Sequence, residues 1–396
     1  MPPGVFIKNL IGANERVCET GQITFGAELA GPGVVPIDES GPYPGAPGGG
    51  NDWGLFIANP SRGQPPRLLL RSGDPAPGLP GLTIGPDDGH SYFALEQSDN
   101  GTLMLIGMLS GPGVNETNDF ALWTGTADNL QLVVREGMAA PDTAPEVTFA
   151  WFGVSWSIND AGQIALLAGL TGPGIVDEND TSRWLAAPGD LQLLAWTGVP
   201  VPAAGSGLSM GLVYTTITCT NTPGDMNALV HLVGPGVTQD NQQALLIGPA
   251  GDPHMVAREG DPVPEAGEGV VIDSIGNSYI SAQRDVLYRI KLRGTGIDET
   301  NQWAMCFGPL EAPSISLRDG EAAPFFPDGT ILTRVVAAAS LATMNDVSDV
   351  VLVTEVAGPG ISETNKVVLW RRDSATSLWY PLLQGGDQLD GRTVLL

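Results

Sequence analysis

A short phrase returns six times along this chain: Gly-x-Gly followed by Val or Ile and, with one exception, an Asn seven positions after its first glycine. The copies are Gly31-Pro32-Gly33-Val34, Gly111-Pro112-Gly113-Val114, Gly172-Pro173-Gly174-Ile175, Gly234-Pro235-Gly236-Val237, Gly294-Thr295-Gly296-Ile297 and Gly358-Pro359-Gly360-Ile361. They recur about every 60 residues, and the first interval is stretched by about 20. Such a period exceeds helical solenoid repeats and suits one four-stranded blade with long loops. The expected fold is all-β: a six-bladed β-propeller with four antiparallel strands per blade, one domain over residues 1–396.

A second ladder keeps step with the first. A glycine with a proline four residues later recurs at Gly73/Pro77, Gly137/Pro141, Gly198/Pro202, Gly260/Pro264 and Gly320/Pro324, and Gly386 continues it with Asp390 in place of the proline. The stretch in the first copy is the Pro/Gly-rich segment 35–50, expected to be a loop insertion of the kind that surface tips tolerate.

Residues 147–202 serve as the type unit. Val147–Trp156 is rich in β-branched and aromatic residues and predicts a first strand; Asn159-Asp160-Ala161-Gly162 supplies turn chemistry. Gln163–Leu170 is nearly continuously apolar and predicts a strand buried on both faces. A third strand is expected at Ser182–Ala186 and a fourth at Leu191–Trp196. The chain ends in Thr393-Val394-Leu395-Leu396, which aligns with first-strand starts such as Val147-Thr148-Phe149, so the two termini are expected to share one structural unit and close the ring. Donation of that strand to a neighbouring copy would instead polymerise the protein.

Composition fixes the class of partner. The formal charge is −26, from 44 acidic and 18 basic residues, and such a field repels phosphate backbones, excluding nucleic acid as a partner. Cys18, Cys219 and Cys306 are odd in number and far apart, giving neither a zinc motif nor a disulfide framework. No apolar run approaches a membrane span, and residues 1–30 carry no leader pattern.

At Asn159-Asp160-Ala161-Gly162-Gln163-Ile164-Ala165-Leu166 the chain resembles the bacterial tandem-repeat proteins named for an Asn-x-x-Gly-x-x-Ala-Phe repeat. Gly21-Gln22-Ile23-Thr24-Phe25 keeps the glycine and the Phe, Asn221-Thr222-Pro223-Gly224 keeps Asn and Gly, and Asn345-Asp346-Val347-Ser348 loses the glycine. The resemblance implies an extracellular or cell-surface β-repeat protein with a variable C-terminal anchor and no assigned chemistry. This chain lacks a recognisable anchor.

Both ladders are expected on one rim. The first loop brings Asn118, Asn179, Asn241, Asn301 and Asn365, with Asn51 as the counterpart in the stretched copy, beside Glu116, Asp177, Glu299 and Glu363. The second brings Arg71, Arg135, Arg258 and Arg318, mostly followed by an acid such as Glu136, Glu259 or Asp319. Oxygen-rich loops of this sort are candidates for calcium, which takes six to eight oxygens. The competing expectation, which we favour, is that each Asn closes its own loop by bonds to backbone while each Arg pairs with a neighbouring acid. No metal, cofactor or catalytic residue is assigned. His90, His231 and His254 sit in no nucleophile or metal pattern. Trp53, Trp123, Trp184, Trp303 and Trp370 are expected in the core between blades, with sugar stacking as the alternative. Asn100, Asn115 and Asn179 head Asn-x-Thr triplets and are candidate N-glycosylation sites on an exported chain.

These readings predict an extracellular, non-catalytic propeller acting as a self-associating surface or appendage component, or as a binding module, with homo-oligomerisation and glycans as partners. The alternative is a carbohydrate-active enzyme with its site at the central channel. A convergent cluster of acids would favour the second.

Overall fold

The computed structural model describes residues 3–36, 50–85, 94–213, 221, 223–249, 252–335, 342–390 and 392–394. Most of the 35–50 segment, His90, Cys219 and Leu395-Leu396 lie outside the described residues. The fold is all-β. Apart from the three-residue 3-10 turns Pro60–Arg62, Pro202–Ala204 and Pro264–Ala266, no helix occurs among the described residues.

The chain divides into two compact units, Met1–Trp196 and Thr197–Leu396. The first holds three antiparallel sheets. Phe6–Val17, Ile23–Ala30, Trp53–Asn59 and Gln64–Arg71 make one. In the next, Thr83–Ile84 and Ala94–Gln97 both pair with Leu103–Ser110, followed by Phe120–Thr126 and Asn129–Arg135. Thr148–Ile158, Ile164–Thr171, Thr181–Ala187 and Asp190–Trp196 make the third, as the type unit predicts.

The second unit repeats the plan. Its sheets are Ser209–Val213 to His254–Arg258, Val270–Ile280 to Ser314–Arg318, and Ile331–Val335 to Trp379–Gln384, each running in chain order. Beyond them, Arg392–Thr393 pairs with Gln388–Leu389. The Gly386 N–H donates to the Val394 carbonyl, just as Gly137 donates to Phe149, so the C-terminal segment does reproduce a first-strand start. The first sheet is complete with four strands of its own.

Continuous apolarity explains the packing. The second strand Leu103–Ser110 is buried along both faces because a neighbouring sheet covers each side, and Ile164–Thr171 is buried almost as completely. In the first unit one core joins Leu55, Ile57 and Trp53 to Leu103, Leu105 and Trp123, and another joins Met104 and Leu122 to Phe149, Leu166 and Trp184. In the second unit Leu245 and Ile247 pack on Ile272 and Tyr288, and Met305 and Phe307 on Leu352 and Trp370. Fully buried side chains of this size each contribute about 2–3 kcal/mol by area. Fourth strands lie at sheet edges, where Pro65, Pro66 and Pro381 remove N–H groups that would otherwise recruit another strand.

The turn between first and second strands is the same in every sheet. At Cys18–Gly21, Ser98–Gly101, Asn159–Gly162, Asn221–Gly224, Ser281–Arg284 and Asn345–Ser348 the N–H of the fourth residue donates to the carbonyl of the first. The fourth residue takes positive φ in each, including Arg284 at 64° and Ser348 at 66° where no glycine is present. A bulge interrupts the pairing of third and fourth strands at equivalent points, Leu55/Phe56, Leu122/Trp123, Arg183/Trp184, Leu245/Leu246, Met305/Cys306 and Leu369/Trp370.

Candidate functional site

The two glycine ladders meet within each sheet. The first glycine of Gly-x-Gly lies so near the loop entering its own sheet that an added Cβ would come within 2.2 Å of the Gly269 carbonyl at Gly294 and 2.6 Å of the Glu146 carbonyl at Gly172. With φ of 128° and 139° besides, these positions admit glycine alone. The second glycine ladder lies against the Asn of the first loop, a Cβ at Gly320 meeting Asn301 at 3.3 Å.

Each rim Asn closes its loop by the same two bonds. The side-chain amides of Asn51, Asn118, Asn179, Asn241, Asn301 and Asn365 donate to the carbonyls of Gly33, Gly113, Gly174, Gly236, Gly296 and Gly360. Their carbonyl oxygens accept the N–H of Val35, Asn115, Val176, Thr238, Asp298 and Ser362. Asn51 therefore stands where the stretched copy requires it. The expectation for the arginines needs correcting. Arg71, Arg135, Arg258 and Arg318 do not close on the adjacent acid; each donates its Nε–H to the main-chain carbonyl of its loop's Asn. Where the arginine is missing, Trp196 donates to Asn179 and Gln384 to Asn365. A guanidinium, an indole and an amide all serve because the shared acceptor is a neutral carbonyl, to which Arg71 and Arg135 add a bond to the Asn side-chain oxygen and Arg318 one to the Ala266 carbonyl.

The acids behind those arginines face inward. Glu136 accepts the Phe120 N–H at 3.1 Å, Glu259 the Gln243 N–H at 2.9 Å and Asp319 the Val335 N–H at 2.6 Å. Burial pushes Glu136 up to about 8, with Asp119 a hydrogen-bonded carboxyl neighbour, and Asp319 up to about 6. These are carboxyls shaped for capping backbone, with little surface to offer a substrate. In the calcium candidates the Asn oxygens already accept backbone N–H, and the Asp298 carboxylate accepts from both groups of Thr300. Among the described residues no group of three or more His, Cys, Asp or Glu is placed to hold a metal ion.

Trp53, Trp123, Trp184 and Trp370 are buried, their indoles wedged between sheets, while Trp303 lies half-buried beneath the Arg289 guanidinium, 4.3 Å from its ring centre. Of the glycosylation candidates, Asn100 donates its amide to the Asp160 carbonyl and Asn179 to Gly174, whereas exposed Asn115 uses its oxygen to hold Thr117. Cys18 and Cys306 are buried free thiols, and burial pushes Cys306 up to about 12.

Two features break the repeat, and single-sequence reasoning passed over both. Arg183 is fully buried where the sister sheets have Leu55, Leu122, Leu245, Met305 and Leu369, and burial lowers its guanidinium to about 10. A charged residue in an aliphatic column was the available signal. The other is Phe325, immediately after the ladder proline Pro324. Its φ is 63°, a region that costs a bulky residue about 1–2 kcal/mol, and the matching positions after Pro77 and Pro141 hold Gly78 and Asp142, also at positive φ. The ring is 64% exposed and stacks on Tyr380, centroids 5.2 Å apart and planes inclined by 23°. Leu378 and Leu382, two residues to either side of Tyr380, are exposed as well, and the Tyr380 hydroxyl reaches Thr376 Oγ1 at 3.3 Å.

The fold and these loops define an all-β repeat protein with one strained, outward aromatic surface. The chain belongs to a family of unknown function, DUF7453, whose match spans residues 19–394. No curated protein matches it in sequence. Among solved structures it is similar to an ulvan lyase of polysaccharide lyase family PL25, with TM-score 0.35 and 10% identity over 96% of this chain and 85% of that one. It is also similar to the polysaccharide lyase Uly1, with TM-score 0.39 and 10% identity over 96% and 82%. An engineered GH43 glycoside hydrolase with endo-xylanase and exo-arabinofuranosidase activity gives 0.24 and 9% over 88% and 66%. At such TM-scores these likenesses carry no argument about activity. Among the described residues no helix is long and apolar enough to cross a membrane.

Proposed function

We propose that this chain is a carbohydrate-recognising protein whose six sheets are the blades of one propeller, and that a glycan docks on Phe325 and Tyr380. The observation that carries the reading is Phe325 itself. A large ring held outward at positive φ, where the loops after Pro77 and Pro141 use Gly and Asp, carries a backbone strain that a smaller residue would avoid. Exposed aromatic faces bind the C–H faces of sugar rings through dispersion and burial, and the hydroxyls of Tyr380 and Thr376 are at hand for sugar hydroxyls.

The reading favours recognition over cleavage, since the perturbed acids Glu136 and Asp319 are buried beneath backbone donors. The reading fits the extracellular location that the repeat resemblance implies. Affinity electrophoresis of the full chain through gels containing single polysaccharides tests it: at least one should retard the protein, and Phe325→Ala should run free. No retardation by any glycan, or retention unchanged in the variant, would sink the proposal. Assaying retarding glycans for new reducing ends or unsaturated products then separates a binder from an enzyme.

A further inference from the structure

Resting on that reading, we infer that the glycan taken by the Phe325–Tyr380 surface is a neutral, flat-faced chain, and that polyuronates and sulfated glycans are excluded. In the sheet register Tyr380 lies opposite Arg371, the cation best placed to receive an anionic sugar. That guanidinium is already held by Asp349 at 2.9 Å and Asp373 at 3.4 Å. Both acids are fixed in the charged state. The Ser374 N–H holds Asp349 below the ordinary carboxylate range, and the Thr376 N–H does so for Asp373. The Phe325 loop adds exposed Glu321 and Asp328, within a chain of net charge −26. An incoming carboxylate or sulfate therefore meets repulsion beside a guanidinium that is already engaged.

Shape argues the rest. Phe325 stacks on Tyr380 and yet stays 64% exposed, and Leu378 and Leu382, on either side of Tyr380 in the chain, are exposed apolar residues as well. A strip of this kind complements rings whose hydroxyls are all equatorial, because such rings present a continuous C–H face. Rings joined through axial bonds curl and present hydroxyl edges instead.

Titration calorimetry of the full chain with a cello-oligosaccharide, a malto-oligosaccharide and an oligouronate of equal length tests this. The cello-oligosaccharide should bind at least roughly tenfold more tightly than either other ligand at low salt, with the gap to the oligouronate narrowing as salt screens the field. Phe325→Asn, which suits positive φ and keeps the loop intact, should lose at least roughly tenfold in affinity. An oligouronate that binds as tightly as the neutral ligand, or a malto-oligosaccharide that does, overturns this inference while the carbohydrate reading stands. No binding by any of the three, together with free passage through every polysaccharide gel, overturns the carbohydrate reading itself.

Discussion

Replacing Phe325 separates a ring kept for binding from one kept for folding. Consider Phe325→Asn. Asn tolerates positive φ, so the strain at 63° is relieved by about 1 kcal/mol, without the added unfolded-state freedom that Gly would bring. Against this stands the stacking on Tyr380, worth about 0.5–1.5 kcal/mol. The ring is 64% exposed, so the burial forfeited is only about a third of a full Phe, or about 1 kcal/mol. The sum is a loss of no more than about 1–1.5 kcal/mol, whereas Phe149→Ala, in a fully buried ring against Trp184, should cost about 3–5 kcal/mol. Urea denaturation of the two variants beside the parent, at unchanged m-value, measures both. A Phe325→Asn loss approaching that of Phe149→Ala would refute the reasoning, because the ring would then be part of the core and its exposure would need no function.

Asn301→Ala removes two loop-closing bonds and should cost about 1–2 kcal/mol; calcium or chelator should leave melting of the parent unchanged, and a calcium-specific rise would make the rim a metal site. Arg318→Gln should be milder, since Gln384 already serves Asn365 in the same way, and a loss larger than that of Asn301→Ala would show that the guanidinium does more. Because burial raises the Glu136 carboxyl in the folded state to about 8, its contribution is complete below the ordinary value of about 4.5 and declines as pH rises toward 8; Glu136→Gln should be the more stable protein at pH 8 and flatten that part of the stability profile, and parallel profiles would contradict the raised value. Ending the chain at Arg392 deletes the bonds of Val394 with Gly386 and Asp387 and should lower the melting temperature by a few degrees or cause aggregation, while an unchanged curve would show the C-terminal strand to be dispensable.

The repeat of antiparallel sheets could be read from sequence because its signals are steric. Gly172 and Gly294 admit no Cβ, and a requirement that strict leaves a periodic mark. The loop closure by Asn179 or Asn301 was legible for a similar reason, since few other side chains reach both a carbonyl and an N–H at that distance. The arginine partner was not legible. Sequence shows Arg135 next to Glu136, but strand alternation sends neighbours to opposite faces, so the acid turns inward to Phe120 and the guanidinium outward to Asn118. The turn at Ser281–Arg284 escaped notice because Arg fills a place that glycine marks elsewhere. Phe325 was invisible for the converse reason. A Phe beside proline reads as core, and only its φ and exposure reveal a ring facing water.

The interchangeable donors at the rim loops carry an implication for how this surface diversifies. Each loop offers the backbone carbonyl of an Asn as a common socket, and the plug is a cation at Asn51, Asn118, Asn241 and Asn301, an indole at Asn179 and an amide at Asn365. Exchanging one plug for another alters the charge and polarity beside that loop without disturbing the loop beneath it. Each loop can thus exchange its plug while the Asn-closed backbone beneath it stays the same.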